Sequence, residues 1–259
     1  MNDLLTATIW LILALPAVVV LQRWIHRHLQ GIALLLTGRT SWAVVLYALV
    51  LFPGVLLHEL SHWLMATLLF VRTGKVALLP QLQDDGTIQL GAVEYYKTDN
   101  VGALRESLIG GAPLIAGTVA VLLISLRVFN VELLTQAFAR GDLGAILLAM
   151  GSFWQTPDVL VWLYLFFAIS NAMMPSASDR RAWPAFGLTL LIAGGVIYLL
   201  GLHETIFFSL ARPLTTVVTN VALAFSVTIV ANLFFILGIV AFEGALSRLS
   251  GRRVNYGEI

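Results

Sequence analysis

No cysteine occurs in the 259 residues. That excludes disulfides, thiolate metal sites and cysteine nucleophiles, and it leaves the redox compartment undetermined. Charge is the second scarcity. Asp, Glu, Lys and Arg make up 11% of the chain, against about 25% in soluble domains, whose surfaces must be solvated. A water-soluble globular protein is therefore nearly excluded, and at 59% hydrophobic residues disorder is excluded outright. The 15 basic and 14 acidic residues almost cancel, so net charge suggests no nucleic-acid or acidic-polymer partner. No soluble domain, internal repeat or low-complexity tract is visible. What remains is an all-α polytopic membrane protein, with the lipid bilayer as its surroundings, whose few charges must each be explained.

Stretches free of Asp, Glu, Lys and Arg fall at Leu4–Gln22, Thr40–Leu57, Ser107–Leu126, Val159–Ser178, Ala182–Leu202 and Pro213–Phe242. Each reaches the ~20 residues a helix needs to cross a hydrocarbon core of roughly 30 Å, and the last is long enough to cross with a steep tilt or with an interfacial portion. Six spans is the simplest count. The first run is not expected to be a cleaved signal peptide: its early charge is Asp3, and it ends in Gln22-Arg23-Trp24 rather than in small residues. By alternate sides, six Lys and Arg residues stand against nine. The richer side places both termini, the loop 72–105 and the turn 179–181 in the cytoplasm. The expected setting is a prokaryotic plasma membrane.

Two connections are long. Lys75–Leu82 and Thr87–Tyr96 carry strand patterning around Asp84-Asp85-Gly86, so a small β-hairpin over 75–96 is expected. Residues 130–156 are apolar with few charges, which suits either a helix lying at the interface or a loop packed on the bundle.

Residues 58–62 read His-Glu-Leu-Ser-His. At i and i+4 on a helix, both imidazoles lie on one face and can share a metal ion. Glu59 then projects beside that ion, where it can take a proton from a bound water. A polar helix end would explain the same residues if the span stopped at Leu57. Against that, Trp63–Val71 stays apolar for more than two further turns, and ionisable groups within a membrane call for a compensating role. Two histidines need a third protein ligand. Asp179 follows the fourth span after Pro175, which disposes that segment to break. Its carboxylate can turn back to the second span, or it can be a solvated turn residue beside Arg180 and Arg181.

His58-Glu59-Leu60-Ser61-His62 on an apolar helix, Gly111-Ala112-Pro113 within a span, and Asn171 followed by Pro175 and Asp179 together resemble the site-2 protease family of intramembrane zinc metalloproteases. Ser178 and Arg180 stand where that family carries Leu and Gly around its aspartate. The resemblance implies a three-helix catalytic core over about residues 41–181, with 1–39 and 182–259 as peripheral spans and tail. It implies one Zn2+ on His58, His62 and Asp179, with Glu59 as general base. It also implies that Asn171 bonds the backbone of an unwound substrate strand, to which the hairpin offers an edge. Asn171 can equally be a helix cap or an interhelical amide. The implied substrate is a single-span membrane protein; a homo-oligomer or a regulatory membrane partner stays open.

Other polar residues read more simply. His26 and His28 mark a basic interfacial end, and His203 and Glu204 a short solvated turn. Asn220 and Asn232 read as interhelical hydrogen-bonding residues, and Glu106 and Glu243 as snorkelling residues at span ends. Two other functions compete. One is a zinc-binding membrane protein without turnover; the other is a transporter, which tends to spread its charges over several helices.

Overall fold

A computed structural model of the chain describes residues 2–77, 81–82, 88–89, 91–95 and 102–256. Helix α1 (Asn2–Thr37) runs on well past Gln22, and α2 (Thr40–Leu68) follows it almost directly. Gly38 makes that junction: at φ 66° it takes the left-handed backbone that closes a helix, and its N–H reaches the Leu34 carbonyl at 2.8 Å. Helix α2 does not stop at Leu57. It carries the His-Glu-x-x-His segment in its interior.

After α2 come β1 (Thr73–Ala77), β2 (Gln81–Leu82), β3 (Ile88–Gln89) and β4 (Ala92–Tyr95). β1 pairs antiparallel with β4, and β2 with β3. The expected Asp84-Asp85-Gly86 turn, with Thr87 and Tyr96, lies outside the described residues. β1 and β4 both lie against α2.

Helix α3 (Ala103–Leu123) continues through one wider turn, Ile124–Val128. Residues 130–156 form two short helices, α4 (Val131–Arg140) and α5 (Leu143–Trp154), and α5 meets α6 (Val159–Ala172) at 92°. The fourth apolar run breaks near Pro175, as its sequence leads one to expect. Its helix ends at Ala172 rather than Ser178, because Pro175 can neither donate a backbone bond nor seat its ring in the preceding turn. Helices α7 (Trp183–Leu199) and α8 (His203–Ser250) complete the chain. His203 and Glu204 are exposed in the first turn of α8.

Among the described residues, α1, α2, α3 with its extension, and α8 are long and apolar enough to cross a membrane; α5 and α6 make a fifth if the bent pair is one span. The outer faces fit that setting: α7 buries none of its residues, and Leu191 and Leu199 stand exposed on it. The protein is a multi-pass, predominantly helical membrane protein.

Two apolar clusters hold the bundle together. Val18, Val121, Phe166, Met173 and Phe225 join α1, α3, α6 and α8, while Ile25, Leu51, Val55, Phe167 and Ile239 join α1, α2, α6 and α8. Gly54 on α2 lets that helix sit directly on α6: a Cβ there would run into the Ala168 carbonyl and come within 2.8 Å of the Ala172 Cβ.

Candidate metal centre

A proline inside a helix creates one of the two acceptors on which the site is built, and a helix end creates the other. A proline cannot donate to the carbonyl four residues earlier, so that carbonyl needs another partner. On α2, Pro53 frees the Leu49 carbonyl, which accepts from the Tyr164 hydroxyl at 3.3 Å. On α3, Pro113 frees the Ile109 carbonyl, which binds His62 Nδ1 at 2.8 Å. His58 Nδ1 binds the carbonyl of Ala172, the last residue of α6, at 2.7 Å. A carbonyl only accepts, so each Nδ1 carries its proton and each Nε2 is left with a lone pair. Those two Nε2 atoms face each other at 3.2 Å.

Asp179 closes the third side. Its Oδ2 lies 3.6 Å from His58 Nε2 and its Oδ1 lies 3.4 Å from His62 Nε2. Four-coordinate tetrahedral bonds of about 2.0–2.1 Å, such as imidazole and carboxylate make to zinc, separate neighbouring donors by about 3.3–3.4 Å. The spacing of the two Nε2 atoms lies near that value, and the two distances to Asp179 run to different oxygens of its carboxylate. His58, His62 and Asp179 form a group that could hold a metal ion.

The loop after α6 aims Asp179 from within. The Ser176 N–H donates to Oδ2 at 2.7 Å and the Ser176 hydroxyl donates to the same oxygen at 2.6 Å. In a continued helix the Ser176 N–H would have served the Ala172 carbonyl. Ending the helix therefore releases a donor for the aspartate and an acceptor for His58 together. Gly110 on α3 lets the loop approach, since a Cβ there would collide with the Asp179 carbonyl, whereas Gly111 faces open space.

Glu59 is buried, and the backbone at Gly91, next to β4, lies directly against it: a Cβ at Gly91 would come within 2.7 Å of both Cγ and Oε1 of Glu59. Asn171 is buried one residue before the His58 acceptor. Its Nδ2 donates to the Phe167 carbonyl at 2.9 Å and to Asn232 Oδ1 on α8 at 3.1 Å. Its Oδ1 has no hydrogen-bond partner among the described residues. Asn232 is thus an interhelical partner, but Asn220 is exposed on α8 and makes no such bond among the described residues.

The histidines on α1 bond inward, to other helices and to the C-terminal segment. His26 binds the Asn171 carbonyl through Nε2 at 2.8 Å and the Tyr47 hydroxyl through Nδ1. His28 pairs with Glu243 at 2.6 Å, stacked on Trp24, and Tyr256 donates to the same carboxylate at 2.7 Å. Glu243 is thereby held inside the bundle end rather than reaching out to solvent. Sequence reasoning also passed over Ser176 and Gly110. The signal for Ser176 was its place three residues before Asp179, the spacing of a side-chain turn. Compared with models of protein families, with curated proteins and with solved structures, the chain matches none.

Proposed function

We propose that the chain is an intramembrane zinc metalloprotease that hydrolyses peptide bonds within or near the membrane segment of a single-span substrate protein. The observation that carries the reading is the triangle of His58 Nε2, His62 Nε2 and Asp179 carboxylate oxygens at 3.2, 3.4 and 3.6 Å, with both Nδ1 protons already committed to carbonyls. These three residues would hold one Zn2+; when bound it supplies an open coordination position and polarises the scissile carbonyl. Glu59 takes the proton of the attacking water at a carboxylate oxygen and passes it to the leaving amine. The core is formed by α2, α3 and α6, over about residues 41–181, and α1, α7 and α8 are peripheral.

A substrate helix hides its carbonyls in its own hydrogen bonds and must unwind to be cut. The extended strand that results would be held by Asn171, whose Oδ1 can accept a substrate N–H, and by addition to the strands that follow α2. Counting the bent pair α5–α6 and the 17-residue α7 as crossings brings the total to six spans. An even count puts both termini on one side, here the cytoplasmic one.

The test is Glu59→Gln in the full chain, with zinc content and cleavage of a membrane-anchored reporter both measured. Zinc is expected to stay at one per chain while cleavage is lost. Zinc without cleavage in the unaltered protein would favour a metal-binding protein without turnover, and persistent cleavage by Glu59→Gln would sink the protease mechanism.

A further inference from the structure

Helix α6 ends with three successive carbonyls that side chains complete. The Ser170 carbonyl accepts from Gln22 Nε2, the Asn171 carbonyl from His26 Nε2 at 2.8 Å, and the Ala172 carbonyl from His58 Nδ1 at 2.7 Å. The last carbonyls of a helix have no partner within it, and Asn171 is a special case. The residue four positions on is Pro175, which has no N–H to offer. Two of the three donors, Gln22 and His26, lie one turn apart on α1, away from α2, which carries His58 and His62, and from the loop that carries Asp179.

His26 is itself held in place. Its Nε2 must carry the proton, because the Asn171 carbonyl only accepts, so Nδ1 accepts from the Tyr47 hydroxyl on α2. A continuous set of bonds thus runs from Tyr47 through His26 to Asn171, and across one peptide to Ala172 and His58. Rotation of the last turn of α6 would move the Ala172 carbonyl, and with it the direction of the His58 imidazole.

We propose that His26 is a positioning residue for the metal centre: by closing the carbonyl that Pro175 leaves open, it fixes the end of α6 that orients His58. Helix α1 thereby contributes to the site without supplying a ligand. The inference rests on the metal-site reading above.

The experiment uses the full chain in detergent, Co2+ as the probe, chelator competition for affinity, and the visible bands of four-coordinate Co2+ for geometry. Outer hydrogen-bond partners of metal ligands typically alter affinity by about 10–100-fold. His26 acts one bond further out, so His26→Leu is expected to weaken Co2+ binding by about tenfold, at the lower end of that range, and to change band shape and intensity. His26→Gln, which keeps an N–H near Nε2, is expected to restore both. Tyr47→Phe, which removes the hydroxyl that bonds Nδ1 and also meets Gln30, is expected to shift the bands in the same direction and serves if His26→Leu does not fold. Unaltered affinity and spectrum in His26→Leu, or in Tyr47→Phe should the leucine variant be unfolded, would overturn the proposal while leaving the metal site standing. If the unaltered protein binds no Co2+, the metal-site reading fails and this inference with it.

Discussion

His58 and His62 meet Nε2 to Nε2 at 3.2 Å, and as neutral rings they have no proton to share between them, because each has its Nδ1 proton bound to a main-chain carbonyl. Two lone pairs held face to face repel one another and gain nothing as a neutral pair. The arrangement becomes favourable when a cation lies between them, and Asp179 adds the anionic oxygens on the open side. The bundle therefore holds the histidines in the geometry of metal ligands.

Removal of any one of the three donors leaves too few to hold the ion. His58→Ala, His62→Ala and Asp179→Ala are each expected to lower zinc content from one per chain to below about a tenth after dialysis against a mild chelator. Elemental analysis of the purified protein reads this directly. Retention of full zinc by Asp179→Ala would show that the third ligand is another group.

Ser176 provides the tightest control on the aspartate, through its N–H at 2.7 Å and its hydroxyl at 2.6 Å on the same oxygen. Ser176→Ala keeps the first bond and loses the second. Zinc affinity is expected to fall about tenfold, the lower end for an outer-sphere partner, and Ser176→Thr to restore it. Equal affinities in all three proteins would mean that the loop fold alone aims the carboxylate.

How much of this was readable beforehand follows the distance over which each feature is decided. The spacing of His58 and His62 is set within one helical turn, so the sequence displays it, and the apolar run to Val71 shows the helix continuing. Asp179 could be proposed as a ligand, but whether it turns inward depends on Gly110 of α3 accepting the loop. The role of Pro113 required knowing that His62 points at Ile109. The partners of His26 are the least legible feature. Arg23, Arg27 and His28 around it read as a basic membrane edge, and nothing local reveals that one face of that turn packs against the end of α6. An apolar run says where lipid can be, not where backbone bonding stops, and along Val159–Ser178 it is Pro175 that marks the break.

Adjacent glycines on α3 provide a contrast in which chemistry is constant and surroundings differ. Alanine in a helix interior gains about 0.5–1 kcal/mol over glycine, and at Gly111, which faces open space, Gly111→Ala is expected to be neutral or slightly stabilising. At Gly110 the new methyl meets the Asp179 backbone, which can yield only by moving the loop. Overpacking of that kind costs about 1–3 kcal/mol, so Gly110→Ala is expected to lower the thermal midpoint and weaken zinc retention together. A Gly110→Ala protein that melts and binds zinc like its neighbour variant would show that close approach of the loop is not required.

Gly91 tests the other half of the proposed chemistry, the position of Glu59. Here the obstacle to a methyl group is a side chain, the Cγ and Oε1 of Glu59 at 2.7 Å, and a side chain can rotate away at small energetic expense. Gly91→Ala should therefore spare both the fold and the zinc, whose ligands lie elsewhere, and displace the carboxylate alone. A misplacement of about 1 Å in a reacting group can lower turnover by about 100-fold. Reporter cleavage by Gly91→Ala is expected to drop at least tenfold at unchanged zinc content and thermal midpoint, with Gly91→Val lower still. Gly102→Ala, where nothing lies within 4 Å, serves as the matched control and should cleave normally. Wild-type cleavage by Gly91→Ala would mean that Glu59 works from a position the strand segment does not constrain. Lost cleavage together with lost zinc would mean that the strand segment supports the metal ligands instead.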